Sequence, residues 1–335
     1  MESRRHFCKA CFTFAGSLLA AACLSCRREK NEDLYRTTGE RIRFQAAWYN
    51  DAEFTGYFAA IANGFYRDEG ILLDYMEGGP EVIPEGTLLS NHSDIALTTP
   101  DTTINLINKE NVPLRIIGTQ YQKSPLGIVS LKKNNIRTPQ DLRGKTVAVP
   151  PVNVTSLNAL LKVNKVRESD VKIVPYQYDP TPLLNGNVDA TVDFTTNVPF
   201  TIQSRGGDPS SFLFYDFGFT IYNDTVVVTE ETLKNRRRAL VQWLRASRRG
   251  WEEAFRYPDY PARIQQHFKG NGRKLDNEIF FNNAQRALIE CPAGIFALTD
   301  EGIRKNINAL KEVGLDAKRE YFVTDLLGSS ASGTI

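Results

Sequence analysis

Two hydrophobic rhythms alternate along this chain. Ile42–Trp48, Ile71–Met76, Asp94–Thr98, Leu114–Tyr121 and Leu126–Leu131 are short β-rich runs, read here as strands. Between them, Gly56–Asn63, Pro84–Leu89 and Thr102–Asn108 carry apolar residues at helical spacing. Gly64, Gly78-Gly79-Pro80 and similar breakers punctuate the runs. The rhythm then starts again. Thr146–Val149, Val171–Tyr176, Val188–Phe194, Phe212–Tyr215 and Asp224–Val228 predict strands. Thr138–Leu142, Ser156–Val163, Pro180–Leu184 and Pro199–Arg205 predict helices. Strands alternating with helices predict α/β layers with largely parallel sheets.

From Glu230 onward the pattern turns helical, over Leu233–Phe255, Tyr260–Phe268, Asp276–Ala287 and Glu301–Val313. Leu240, Trp243, Leu244, Trp251 and Phe255 recur at 3–4 spacing, so the tryptophans read as helix packing. Arg236-Arg237-Arg238 and Arg248-Arg249 read as solvated faces. Two α/β blocks followed by helices predict two lobes. Lobe one spans 41–122, lobe two 123–215, and 216–327 returns to lobe one with the C-terminal helices. The Ser/Gly-rich tail, 328–335, is expected to be disordered.

The N-terminus changes the setting. Ser3-Arg4-Arg5-His6-Phe7-Cys8-Lys9 resembles the twin-arginine export signal, with Cys8 where Leu is common. A small-residue apolar run, Cys11 to Ala22, follows, then Arg27-Arg28-Glu29-Lys30. This order is that of a signal peptide, residues 1–22, and its core is too short to span a membrane. Two readings cut before Cys23. Ala20-x-Ala22 fits ordinary signal peptidase, and Leu18–Cys23 resembles a lipobox with the favoured Leu one place early. The second is preferred. It makes Cys23 a lipidated N-terminus, a membrane anchor, and 23–40 a tether. The protein is then periplasmic or on the outer face of the cytoplasmic membrane.

Composition narrows the chemistry. A net charge of +2 gives no reason to expect nucleic acid as a partner. Four of the five cysteines precede residue 27, which excludes a disulfide scaffold for the body. His6, His92 and His267 are scattered, so no metal site and no catalytic constellation is predicted. His92 reads as part of a surface turn, and Cys291 as a buried small hydrophobe.

Several segments carry a family resemblance. Trp48–Phe58, Asn63–Ile71, Gly78-Gly79-Pro80, Ile136–Val149 and Leu184–Ala190 resemble, in order and spacing, the NMT1/THI5-like and SsuA-like solute-binding proteins. The resemblance covers roughly residues 42–255. It implies a type II periplasmic-binding-protein fold, two α/β lobes around a ligand cleft. It also implies a small-molecule ligand delivered to the permease and ATPase subunits of an ABC importer, with no cofactor. The superfamily's pyrimidine synthases use a cysteine-rich cluster, a histidine and pyridoxal phosphate. The body of this chain holds one cysteine and no such cluster.

In open α/β sheets, ligands bind beyond the carboxyl ends of strands. The candidate ligand residues are therefore Trp48, Asn50, Glu53, Phe54 and Tyr57 after the first strand, with Thr99, Gln120, Asn153, Thr155, Asn197 and Tyr222. Aromatic faces with an amide and a carboxylate suit a planar heteroaromatic bearing NH donors. Pro150-Pro151 removes two backbone donors from the matching loop of lobe two, which disfavours a small anion. A thiamine-pyrimidine precursor, formylamino- or hydroxymethyl-aminopyrimidine, is the expected ligand. Riboflavin is the close alternative, and alkanesulfonate, taurine or nitrate the third. An exported sensor domain is a further alternative.

Overall fold

The computed structural model describes residues 39–268 and 272–327. The signal peptide, Cys23, most of the tether and the 328–335 tail lie outside the described residues. Ten strands form two five-stranded sheets. The first contains β1 (Glu40–Gln45), β2 (Ile71–Met76), β3 (Ile95–Thr98) and β4 (Leu114–Tyr121). The second contains β5 (Leu126–Leu131), β6 (Thr146–Val149), β7 (Lys172–Pro175), β8 (Ala190–Phe194) and β9 (Pro209–Leu213). The last strand, β10 (Asn223–Thr229), returns to the first sheet.

The strand orders are β2-β1-β3-β10-β4 and β7-β6-β8-β5-β9. Each sheet has three parallel strands, then one antiparallel to both of its neighbours, then an edge. The sheets are thus mixed rather than largely parallel. The reason lies in the crossings: β5 and β10 each enter from the other lobe and insert beside strands already running the opposite way. Central strands β3 and β5 are buried along their whole length, hence their continuous apolar runs.

Eight principal helices cover the sheets: α1 (Thr55–Ala62), α2 (Pro84–Leu89), α3 (Pro100–Glu110), α4 (Val154–Val163), α5 (Val198–Ser204), α6 (Arg237–Arg256), α7 (Leu275–Ile289) and α8 (Asp300–Glu312). The stretch expected as one helix from Leu233 breaks at Arg236, whose φ is −127°. Its guanidinium bonds Glu40 and Asp94, so Arg236 is a clamp and not a solvated face.

The helix α6 buries Trp243 and Trp251 completely. It crosses α1 where Gly250 meets the Gly56 carbonyl, and Gly56 meets the Trp251 ring. A Cβ at either glycine would overlap its neighbour. Cys291 is half-buried, not fully buried, and its thiol donates to Gly294 O at 3.3 Å. His92 is exposed in its turn, 2.7 Å from Ser90 Oγ. No helix among the described residues is long and apolar enough to cross a membrane.

Candidate ligand cleft

A cavity of about 410 Å³ opens between the two sheets. It lies at the carboxyl ends of the parallel strands, as open α/β sheets predict. Trp48 and Asp51 follow β1, the Gly79–Glu85 stretch follows β2, and Thr99 and Asp101 follow β3. From the second sheet come Asn153 and Ser156 after β6, Tyr178 after β7, and Asp193, Phe194 and Asn197 around the end of β8. Asn223 and Asp224 open β10 at the return crossing. A third wall comes from the C-terminal region, with Arg273 and with Phe281 of α7.

Of the residues picked from sequence, Trp48, Glu53, Thr99, Asn153 and Asn197 line this cavity. Six do not. Phe54 and Tyr57 are fully buried in lobe one, where Tyr57 packs 4.9 Å from Phe44 and 5.7 Å from Trp243, centroid to centroid. They sit three residues apart, which turns both onto the inward face of the helical segment. Gln120 is buried and donates to Glu53 O at 2.8 Å. Tyr222 is buried against Gly302 and donates its amide to Asn306 Oδ1. Thr155 is exposed beside the lining residue Ser156. Asn50 braces the Trp48 loop, accepting from Tyr75 Oη at 2.9 Å and donating its amide to Glu77.

Aromatic rings span the mouth. The Trp48 and Tyr178 centroids are 5.0 Å apart, one ring from each lobe. Tyr178 has φ +60° and Asp224 φ +46°. Both are non-glycine residues held in the left-handed region, a strain that packing must sustain. Ile83 and Val152 stand exposed on the rim, from opposite lobes.

The cavity is acidic. Asp51, Glu53, Glu85, Asp101, Asp193 and Asp224 line it, against one cation, Arg273, among the described lining residues. Glu85 is structural. Its Oε1 accepts from the hydroxyls of Thr98, Thr102 and Thr103 at 2.6, 2.8 and 3.1 Å, fixing the loop that leads to α3. Asp51 caps the turn after β1 by accepting from Glu53 N at 2.8 Å, and it pairs with Arg273. Burial pushes the Asp51 carboxyl up, and the guanidinium opposes that push. Burial raises Asp193 to about 6 and Asp224 to about 7, and lifts Glu53 well above its ordinary value.

Hydrogen-bond accounting is uneven. Asp101 Oδ1, Asp193 Oδ2, Asn197 Oδ1 and Asp224 Oδ2 are buried and receive no donor from the described residues. All four residues line the cleft. A buried acceptor without a donor costs roughly 1–3 kcal/mol, and four such oxygens share this one cavity. Among the described residues, no group of three or more His, Cys, Asp or Glu could hold a metal ion.

Sequence reasoning missed Asp101, Asp193, Asp224 and Arg273. A faint signal existed for Asp193, a charge inside the β-rich run Ala190–Phe194. Arg273 had none: it meets Asp51 across 222 positions and lies beyond the stretch of family resemblance.

Two lobes with polar loops converging on an interlobe cleft define the class of periplasmic-binding-protein folds. The aliphatic sulphonate binding protein SsuA from Escherichia coli superposes with a TM-score of 0.63 at 13% identity, over 86% of this chain and 96% of its own. The desulfurization enzyme DSZB shares the fold, with a TM-score of 0.56 at 13% identity over 86% of this chain and 97% of that one. The chain belongs to the NMT1/THI5-like family, whose model matches residues 51–260. The riboflavin-binding protein RibY of Chloroflexus aurantiacus is 23% identical over 228 residues, 66% of this chain and 64% of that protein, so the match spans just under two thirds of RibY. The formylaminopyrimidine-binding protein of Halalkalibacterium halodurans is 25% identical over 227 residues, 66% of this chain and 68% of that one.

Proposed function

We propose that this protein is the extracytoplasmic receptor of an ABC importer, capturing a small planar heteroaromatic rich in NH donors. A thiamine-pyrimidine precursor, formylamino- or hydroxymethyl-aminopyrimidine, is the ligand this reading favours. The observation that carries it is the set of donor-less buried oxygens on Asp101, Asp193, Asn197 and Asp224, in the cavity that Trp48 and Tyr178 also line. Amino groups satisfy such oxygens, and aromatic faces hold a flat ring. A sulfonate or nitrate brings only acceptors to a wall of carboxylates whose cation already pairs with Asp51.

Riboflavin is the second reading. The 410 Å³ cavity exceeds what one pyrimidine ring occupies, and Ile83 and Val152 extend the apolar rim. A flavin also offers hydroxyl and imide donors. The similarity to RibY supports it.

Binding without catalysis fits the residues. The cysteine among the described residues, Cys291, does not line the cleft. Export through the leader, lipidation at Cys23, and docking to permease and ATPase subunits belong to the same proposal. Titration calorimetry with hydroxymethyl-aminopyrimidine, formylaminopyrimidine and riboflavin tests the ligand. Micromolar or tighter binding of one of them is expected; no heat from any of them would refute the assignment.

A further inference from the structure

Glu53 and Asp224 reach the cleft from opposite ends of lobe one's chain. Glu53 sits in the turn before α1, and Asp224 begins β10. Their carboxyl groups are close neighbours that repel one another as anions, and the residues are only 5% and 2% exposed. Two neighbouring buried carboxylates are costly to ionise together, which favours a proton on the pair. The left-handed backbone of Asp224 and the bond from its amide to Asn223 Oδ1, at 2.8 Å, hold it there. Asp224 Oδ2 is buried and receives no donor from the described residues, which leaves it open to a ligand.

We propose that the Glu53–Asp224 pair is a proton-linked specificity determinant: a ligand amine donating to Asp224 takes over from a proton, which leaves to solvent. This rests on the reading of the cleft as a site for a donor-bearing ligand and adds its linkage to pH. The dyad shares its surroundings with Asp51, Arg273 and Glu278, and with the phenols of Tyr57, Tyr75, Tyr121 and Tyr178. Burial keeps those phenols protonated, and Arg273 pairs with Asp51, whose carboxyl burial still pushes up. Within the dyad, Asp224 is the carboxyl raised to about 7. Asp193, near 6, is the neighbouring cleft group to be told apart from it.

The sign follows from which form binds. The ligand prefers ionised Asp224, so affinity is full above pH 7 and falls below it, by up to about tenfold per pH unit. Binding near neutral pH therefore releases a fraction of a proton.

The test has two arms. Carbon-13 carboxyl NMR of the unliganded protein should show a step near pH 7 that Asp224→Asn removes and Asp193→Asn keeps. Both carboxyls of the dyad titrating below pH 5 would overturn the proposal. Calorimetry with formylaminopyrimidine and with riboflavin, in phosphate and in Tris at pH 7, then counts protons. A buffer-dependent enthalpy reporting release supports the linkage; a buffer-independent one overturns it. If neither compound binds, the ligand reading falls while the NMR arm still decides the dyad.

Discussion

Asp51 and Arg273 form an ion pair in the cleft wall, joining the loop after β1 to the segment that leads into α7. Asp51 is 1% exposed, so its carboxylate depends on that partner. Removing one member of a buried pair leaves an uncompensated charge and costs roughly 3–5 kcal/mol. Arg273→Met should lower unfolding stability by that order, and adding Asp51→Asn should restore much of it. Urea unfolding of the two single variants and the double variant measures the coupling. Strictly additive effects would show that the pair is energetically idle.

The same C-terminal segment bridges the lobes. Glu278 accepts from Ala52 N at 2.7 Å, Leu288 O accepts from Gln122 N at 2.8 Å, and Phe280 packs 5.1 Å from Phe200 of α5. The helix α7 thus touches the cleft loop, one interlobe crossing and the second lobe together.

Asp224 predicts a pH effect on stability. Burial raises its carboxyl from 3.8 to about 7, so the stability it supports is fully present below the lower value and lost as pH rises to the upper one. Asp224→Asn removes that loss. The variant should melt above the parent at pH 8, with the gap narrowing at pH 5, at roughly 2–4 °C for each kcal/mol. Melting curves at both pH values check this; an unchanged gap would argue that Asp224 is ionised throughout.

Gly250 predicts a packing effect. The α1–α6 crossing leaves no room for a Cβ there. Gly250→Ala should destabilise by roughly 1–3 kcal/mol, the cost of overpacking, although alanine favours helices. A more stable variant in urea would contradict the close approach.

Trp48 predicts a binding effect. Its ring faces Tyr178 across the mouth. Trp48→Ala should weaken ligand binding by roughly 1–3 kcal/mol, the range for losing a stacking aromatic, with little change in unfolding stability. Unchanged affinity in calorimetry would remove Trp48 from the site.

Much of the fold was legible because each strand carries its own burial pattern. β2, β4, β5 and β6 match the expected runs residue for residue. Strand direction was not legible, since β5 and β10 owe theirs to crossings between lobes. The cleft was half legible. Trp48 and Glu53 belong to a recognisable loop after β1, but Phe54 and Tyr57 share its chemistry and face inward. The acidic floor stayed hidden because Asp101, Asp193 and Asp224 meet only when three distant strand ends converge. Arg273 depends on a contact that no local pattern encodes.

The cleft should take a flat donor-bearing ring and refuse small anions. A thermal-shift panel of hydroxymethyl-aminopyrimidine, formylaminopyrimidine, riboflavin, taurine, an alkanesulfonate and nitrate decides between these chemistries, because a bound ligand raises the melting temperature by mass action. A rise with a pyrimidine or with riboflavin, and none with the anions, is expected. A rise with taurine, alkanesulfonate or nitrate alone would contradict the donor-bearing ring.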